Sequence, residues 1–191
     1  MREQIMREAD LLIRTGGYES LNFGTIAAKL GTTRANLHYH FKNKENLALA
    51  VTDRYIAEVR SRLTRLRRTY PGNFPAILLA LDADLWERLS ALSYKGYCVC
   101  ARLIADQGQS PYPLLQKAEE HFEWLVNAFS EEIGASLVSG RMKADRPARE
   151  LALESLSIYL GVAQIAMSLA PEREADSYSR RRIGEWLATV T

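Results

Sequence analysis

The run Thr25-Ile-Ala-Ala-Lys-Leu-Gly-Thr-Thr-Arg-Ala-Asn-Leu-His-Tyr-His-Phe41 constrains the fold more than any other stretch of the chain. Two short helical patterns flank Gly31. Ile26 and Leu30 fall at core spacing before it, and Leu37 and Phe41 after it. Gly31 supplies the tight turn between two crossed helices. Ala27, four residues earlier, keeps the crossing close because its side chain is small. Thr25 is the predicted N-cap of the first helix, and Thr32 or Thr33 that of the second. The second helix spends Leu37 and Phe41 on the core. Thr33, Arg34, Asn36, His38, Tyr39 and His40 are left, and most of them must face outward.

Around this unit the chain reads as helix after helix. Residues 2–15 are amphipathic, with Ile5, Ala9, Leu12 and Ile13 on one side, and Gly16-Gly17 stop that helix. Tyr18 and Leu21 turn back onto the core. From Lys44 to Arg68 one apolar stripe runs through Leu47, Val51, Tyr55, Val59, Leu63 and Leu66. A helix of about 24 residues spans about 36 Å. The Tyr70-Pro-Gly-Asn73 break follows, then a helix opened by Pro75. Tyr94 to about Gln107 is a further predicted helix, and Leu114 to about Val138 a long one, closed by Gly140. Leu151–Leu169 is apolar on nearly every side, which predicts burial all round or a face against a second subunit. A last helix after Pro171 carries Ile183, Trp186, Leu187 and Val190. The expected class is all-α: a three-helix head at 1–46, a helical body at 47–191, about nine helices, and the 44–68 helix joining the two.

Charge separates the two parts. Residues 1–68 hold 13 Lys/Arg against 7 Asp/Glu, and residues 69–191 hold 12 against 16, so a basic head precedes an acidic body. A basic surface suits a polyanion. Each outward residue of the second short helix has a use on DNA. Arg34 can bond guanine or clamp a phosphate, and Asn36 can reach a base edge. Thr33 and Tyr39 can donate hydroxyls to phosphate, and His40 a ring N–H. Lys44, at the start of the next helix, adds its charge to the amides there.

The segment from Gly17-Tyr18 through Thr25-Ile-Ala, Gly31, Leu37-His-Tyr-His-Phe41 and Lys44-Glu-Asn-Leu47 resembles the DNA-binding head of the TetR/AcrR repressors, in order and spacing across about 45 residues. The chain departs from that family at His38, where tyrosine is usual. The resemblance implies a homodimer formed by the last two helices, a palindromic double-stranded operator, and a body that binds a small-molecule effector. Thr25, Thr33, Arg34, Asn36, His38, Tyr39, His40 and Lys44 are then the expected DNA contacts. On this reading the 44–68 helix swings when the effector binds.

Effector pockets are apolar and aromatic with few polar groups. Trp86, Tyr97, Cys98, Arg102, Phe122 and Tyr159 are the candidates. Arg102 could pair an anionic effector, or Glu119 or Glu123. A competing reading places chemistry at Cys98 and Cys100, as a redox enzyme or an electrophile sensor, with Lys95 and Arg102 lowering the thiol pKa. The Cys-x-Cys spacing puts the two sulfurs on different helix faces, which argues against a dithiol site, and buried inert thiols are the simpler alternative. The histidines His38, His40 and His121 lack metal-ligand spacing, no glycine-rich phosphate loop exists, and no cofactor is expected. No apolar run is long enough for a membrane span and no export signal opens the chain, so a cytoplasmic location is expected.

Overall fold

The computed structural model describes residues 1–91, 96, 98–169 and 172–191, with side chains omitted for 166–173. Among the described residues the chain is all helical: α1 (Arg2–Gly16), α2 (Phe23–Lys29), α3 (Arg34–Phe41), α4 (Lys44–Thr69), α5 (Phe74–Ala91), α6 (Val99–Ala105), α7 (Tyr112–Val138), α8 (Ala148–Leu169) and α9 (Glu172–Ala188), with a 3-10 turn at Tyr18–Ser20. None of these helices is long and apolar enough to cross a membrane. The chain forms two compact units, residues 1–59 with 95–122, and residues 60–94 with 123–191.

The first unit is built on one core. Ile5, Ala9 and Ile13 of α1, Ile26 and Ala27 of α2, Leu37 and Phe41 of α3, and Leu47 and Val51 of α4 are all buried in it. Val99 and Leu103 of α6 and Leu114 of α7 join the same core. Thus α6 and the start of α7 pack with the head helices, and α6 lies directly on α1.

The second unit buries Phe74, Ile77 and Leu78 of α5 and Phe129 and Ile133 of α7. The Phe74 ring meets Phe129 edge-on at 5.1 Å and Trp186 of α9 at 6.4 Å. α5 and α8 both pack on α9.

Several local expectations are corrected. Asn22, not Thr25, caps α2: its Oδ1 accepts from the Gly24 and Thr25 amides at 2.7 and 3.1 Å. The helix expected from Tyr94 to Gln107 is only Val99–Ala105. Gly96 has φ +70°, outside any helix, and Cys98 is extended, serving as the N-cap with its sulfur 3.4 Å from the Ala101 amide. Tyr94, Lys95 and Tyr97 lie outside the described residues. α8 is not buried all round, since Leu153 and Ile165 are 49% and 57% exposed. Arg102 pairs with neither Glu119 nor Glu123. Its partner is Asp106, four residues on, at 2.9 Å, while Glu123 pairs with Arg149.

Candidate DNA-binding surface

The turn between α2 and α3 is closed by backbone geometry. Gly31 takes φ +61°, the Thr32 amide reaches back to the Ala27 carbonyl at 2.9 Å, and the Gly31 amide to Ala28 at 3.3 Å. This pair of bonds is the Schellman closure, which needs a residue at ease with positive φ. Thr33 then caps α3, accepting the Asn36 amide at 3.2 Å. Thr32 instead fixes a side chain, its hydroxyl accepting from Asn36 Nδ2 at 2.9 Å.

With Leu37 and Phe41 buried, α3 presents its other face to solvent. Thr25, Thr33, Arg34, His38 and Tyr39 are exposed, Tyr39 by 83%, while Asn36, His40 and Lys44 are half-buried. The Arg34 guanidinium lies against Gly24 at the start of α2, in space a Cβ would occupy. The Tyr39 and His40 rings meet edge-on at 5.3 Å. Lys44 is held from within: its ammonium lies 4.2 Å from the Tyr18 ring centroid and 3.2 Å from Glu19. A phosphate there would compete with the Glu19 carboxylate.

His38, the residue at odds with the family pattern, is also engaged. Its ring lies 4.8 Å from that of Phe23, and Nδ1 is 2.8 Å from the Lys42 carbonyl oxygen. Both contacts lie beyond what hydrophobic spacing reveals. The i to i+4 separation of His38 and Lys42 was the available signal.

The surface is therefore a short helix with a polar outer face, fixed to two others by a glycine turn. Hydroxyls, a guanidinium and an exposed tyrosine at this spacing match phosphate and base-edge chemistry. Residues 5–51, from α1 into α4, match the family described as "Bacterial regulatory proteins, tetR family". Over its head, the chain is similar to the TetR-family regulators. Its whole fold agrees. A TetR-family regulator from Agrobacterium tumefaciens superposes with a TM-score of 0.86 at 22% identity, covering 96% of each chain. One from Legionella pneumophila gives 0.80 at 21% identity, over 100% of this chain and 97% of that one. A transcriptional regulator from Saccharomonospora viridis, solved in complex with choline, gives 0.80 at 19%, over 100% and 97%. Among curated proteins no sequence matches.

The residues expected to hold an effector fall in both units. Cys98, Arg102 and Phe122 belong to the first, and Trp86 and Tyr159 to the second. Trp86 is buried and donates Nε1–H to Asp82 at 2.9 Å, and the Tyr159 hydroxyl lies 3.4 Å from the Leu81 carbonyl. A groove of about 470 Å³ on α4 is lined by other residues: Ser61, Thr64, Arg65, Arg68 and Thr69. Cys98 and Cys100 are buried free thiols. Burial pushes both thiols up from their ordinary pKa, and the Tyr55 hydrogen bond opposes this only in part at Cys98. A nucleophilic thiolate is thus disfavoured at both. Among the described residues no His, Cys, Asp and Glu cluster suits a metal ion.

Proposed function

We propose that the chain is a homodimeric, ligand-responsive transcriptional repressor that reads a palindromic operator with α3 and acts by binding rather than by catalysis. The carrying observation is the exposed polar face of α3, from Thr33 to His40, behind which Leu37 and Phe41 are buried. Arg34 and Asn36 read bases, Thr25, Thr33, Tyr39 and His40 meet phosphate, and Lys44 adds charge when DNA displaces Glu19. Two such helices per dimer would engage half-sites about one helical turn or more apart.

The dimer reading draws support from α8. Leu153 and Ile165 are exposed, Tyr178 of α9 is 39% exposed, and a Cβ added at Gly161 or Gly184 would meet nothing within 4 Å. Such a face is suited to close packing by a second copy. The effector reading assigns a small molecule to the helical body. The choline-bound relative supports a fold that accepts one. An effector favouring one head spacing over another would change operator affinity by its difference in affinity for the two states.

A gel shift with DNA upstream of the encoding gene tests the reading. One discrete shifted band that survives excess nonspecific competitor is expected, and binding that is salt-sensitive but indifferent to sequence would count against it. Arg34→Ala and Asn36→Ala should relax sequence preference. Lys44→Ala should weaken all DNA alike and flatten the salt dependence.

A further inference from the structure

We infer that His38 is a positioning residue for DNA recognition: it sets the recognition helix through Lys42 and Phe23 instead of through a contact of its own with DNA. The inference rests on the operator-binding reading above and deepens it.

His38 grips Lys42 at both ends. The Lys42 amide donates to the His38 carbonyl at 2.8 Å, and His38 Nδ1 lies 2.8 Å from the Lys42 carbonyl oxygen. A carbonyl oxygen can only accept, so Nδ1 must carry the hydrogen. That fixes the tautomer and leaves Nε2, in the neutral ring, as a bare acceptor. A bare acceptor repels a phosphate oxygen. In that neutral form the nitrogen left for DNA has the wrong polarity for a phosphate contact.

The gripped residue is the strained one. Lys42 has φ 63° and ψ −54°, and it is the one non-glycine residue of positive φ among those described. The Asn43 amide meets the Phe41 carbonyl at 2.7 Å across it, so Phe41–Asn43 is a γ-turn of the uncommon positive-φ kind. Such a backbone persists when its surroundings over-determine it. The two His38 bonds supply that determination. Directly after the turn, Asn43 Oδ1 accepts the Asn46 amide at 2.8 Å and opens α4. On its other side the His38 ring packs on Phe23, the first residue of α2. One imidazole thus ties α2, α3 and the entry to α4 together, and the exposed face of α3 takes its orientation from that joint.

Asparagine and glutamine separate the two roles, because the Asn amide nitrogen overlies Nδ1 and that of Gln overlies Nε2. Operator affinity would be measured for the parent, His38→Asn, His38→Gln and His38→Ala, with thermal unfolding of each. Positioning predicts that Asn stays within about threefold of the parent while Gln and Ala lose roughly tenfold, the scale of one lost hydrogen bond. Gln binding better than Asn, or all three matching the parent, would overturn the inference. Long-range proton–nitrogen NMR of the DNA-free protein adds a readout independent of the operator. It should show a protonated Nδ1 and a bare Nε2 at His38, and the reverse tautomer would also overturn the inference. If the parent itself prefers no sequence, the operator reading fails, and the NMR result still decides whether His38 holds Lys42.

Discussion

The Tyr55 hydroxyl donates a hydrogen bond to the Cys98 sulfur across 3.1 Å. It ties α4 to the residue that caps α6, inside the first unit. Burial raises the Tyr55 pKa well above its usual value, so the hydroxyl keeps its proton and stays a donor. The thiols of Cys98 and Cys100 are likewise raised by burial. Iodoacetamide at pH 8 should therefore leave both cysteines unmodified in the folded protein and label both in denaturant, as read by mass spectrometry. Rapid native labelling of Cys98 would restore the sensor reading.

The same shifts carry a pH dependence. A thiol whose pKa is higher folded than unfolded stabilises the fold fully below its unfolded value, about 8.5. That contribution is lost as pH rises through the folded value, because the unfolded chain ionises first. Urea unfolding should show stability falling above about pH 8.5, and the Cys98→Ala, Cys100→Ala double variant should fall less steeply. An identical slope in both proteins would count against burial as the cause.

Asp82 is fully buried between α5 and α9, where Oδ1 accepts from Trp86 Nε1 at 2.9 Å and from the Ser179 hydroxyl at 2.7 Å. Among the described residues Oδ2 has no hydrogen-bond partner. Desolvation raises its pKa, and the two hydrogen bonds pull the other way without cancelling it. Asp82→Asn keeps the acceptor and removes the charge, so it should be neutral or stabilising at pH 7. Asp82→Ala abandons two buried donors and should cost about 1–3 kcal/mol. Stability attributable to the aspartate should be greatest at low pH and decline as pH rises from about 4, a trend the Asn variant should lack. Chemical unfolding of the three proteins at several pH values measures both effects.

How far these features could be read from sequence depended on their range. Gly31, Leu37 and Phe41 were legible because the turn and its anchors lie within eleven residues and follow helical spacing. Asn22 was missed as the cap because Phe23 and Gly24 stand between it and the first periodic residue, which made Thr25 the nearer choice. The extent of α6 was illegible for a tertiary reason. Gly96 takes φ +70° where its backbone presses on Arg14 of α1, a contact between residues distant in the chain. Helical periodicity around Cys98–Arg102 carries no trace of it. The outward-facing residues of α3 follow by subtraction from its core positions. That subtraction could not distinguish Tyr39, which is open to solvent, from His38, which is already engaged.

Gly17 is a second point where α1 and the α6 region meet. It has φ 73° and ψ −170°, and a Cβ built on it would collide with the Asp106 carboxylate, the partner of Arg102. Backbone of this kind is essentially restricted to glycine, and a side chain there costs about 1–3 kcal/mol before the collision is counted. Gly17→Ala should lower stability by at least about 2 kcal/mol. Asp106→Ala in the same background should recover part of that loss by removing the obstructing carboxylate. A double-mutant cycle on urea midpoints measures the coupling, and strictly additive losses would show that the backbone, not the collision, sets the cost.

Lys42 gives the opposite sign. Its positive φ strains an L-residue by about 1–2 kcal/mol, and glycine escapes that strain while adding unfolded-chain entropy. The Lys42 carbonyl and amide that His38 grips are backbone groups, so Lys42→Gly keeps both bonds. The variant should be more stable by up to about 1 kcal/mol, read as a higher urea midpoint at unchanged slope. Lys42→Val should be less stable than the parent, since a β-branched side chain fits positive φ worst. If Gly lowered the midpoint as Val does, the γ-turn at Phe41–Asn43 would not be the conformation the protein adopts, and the role given to His38 would lose its footing.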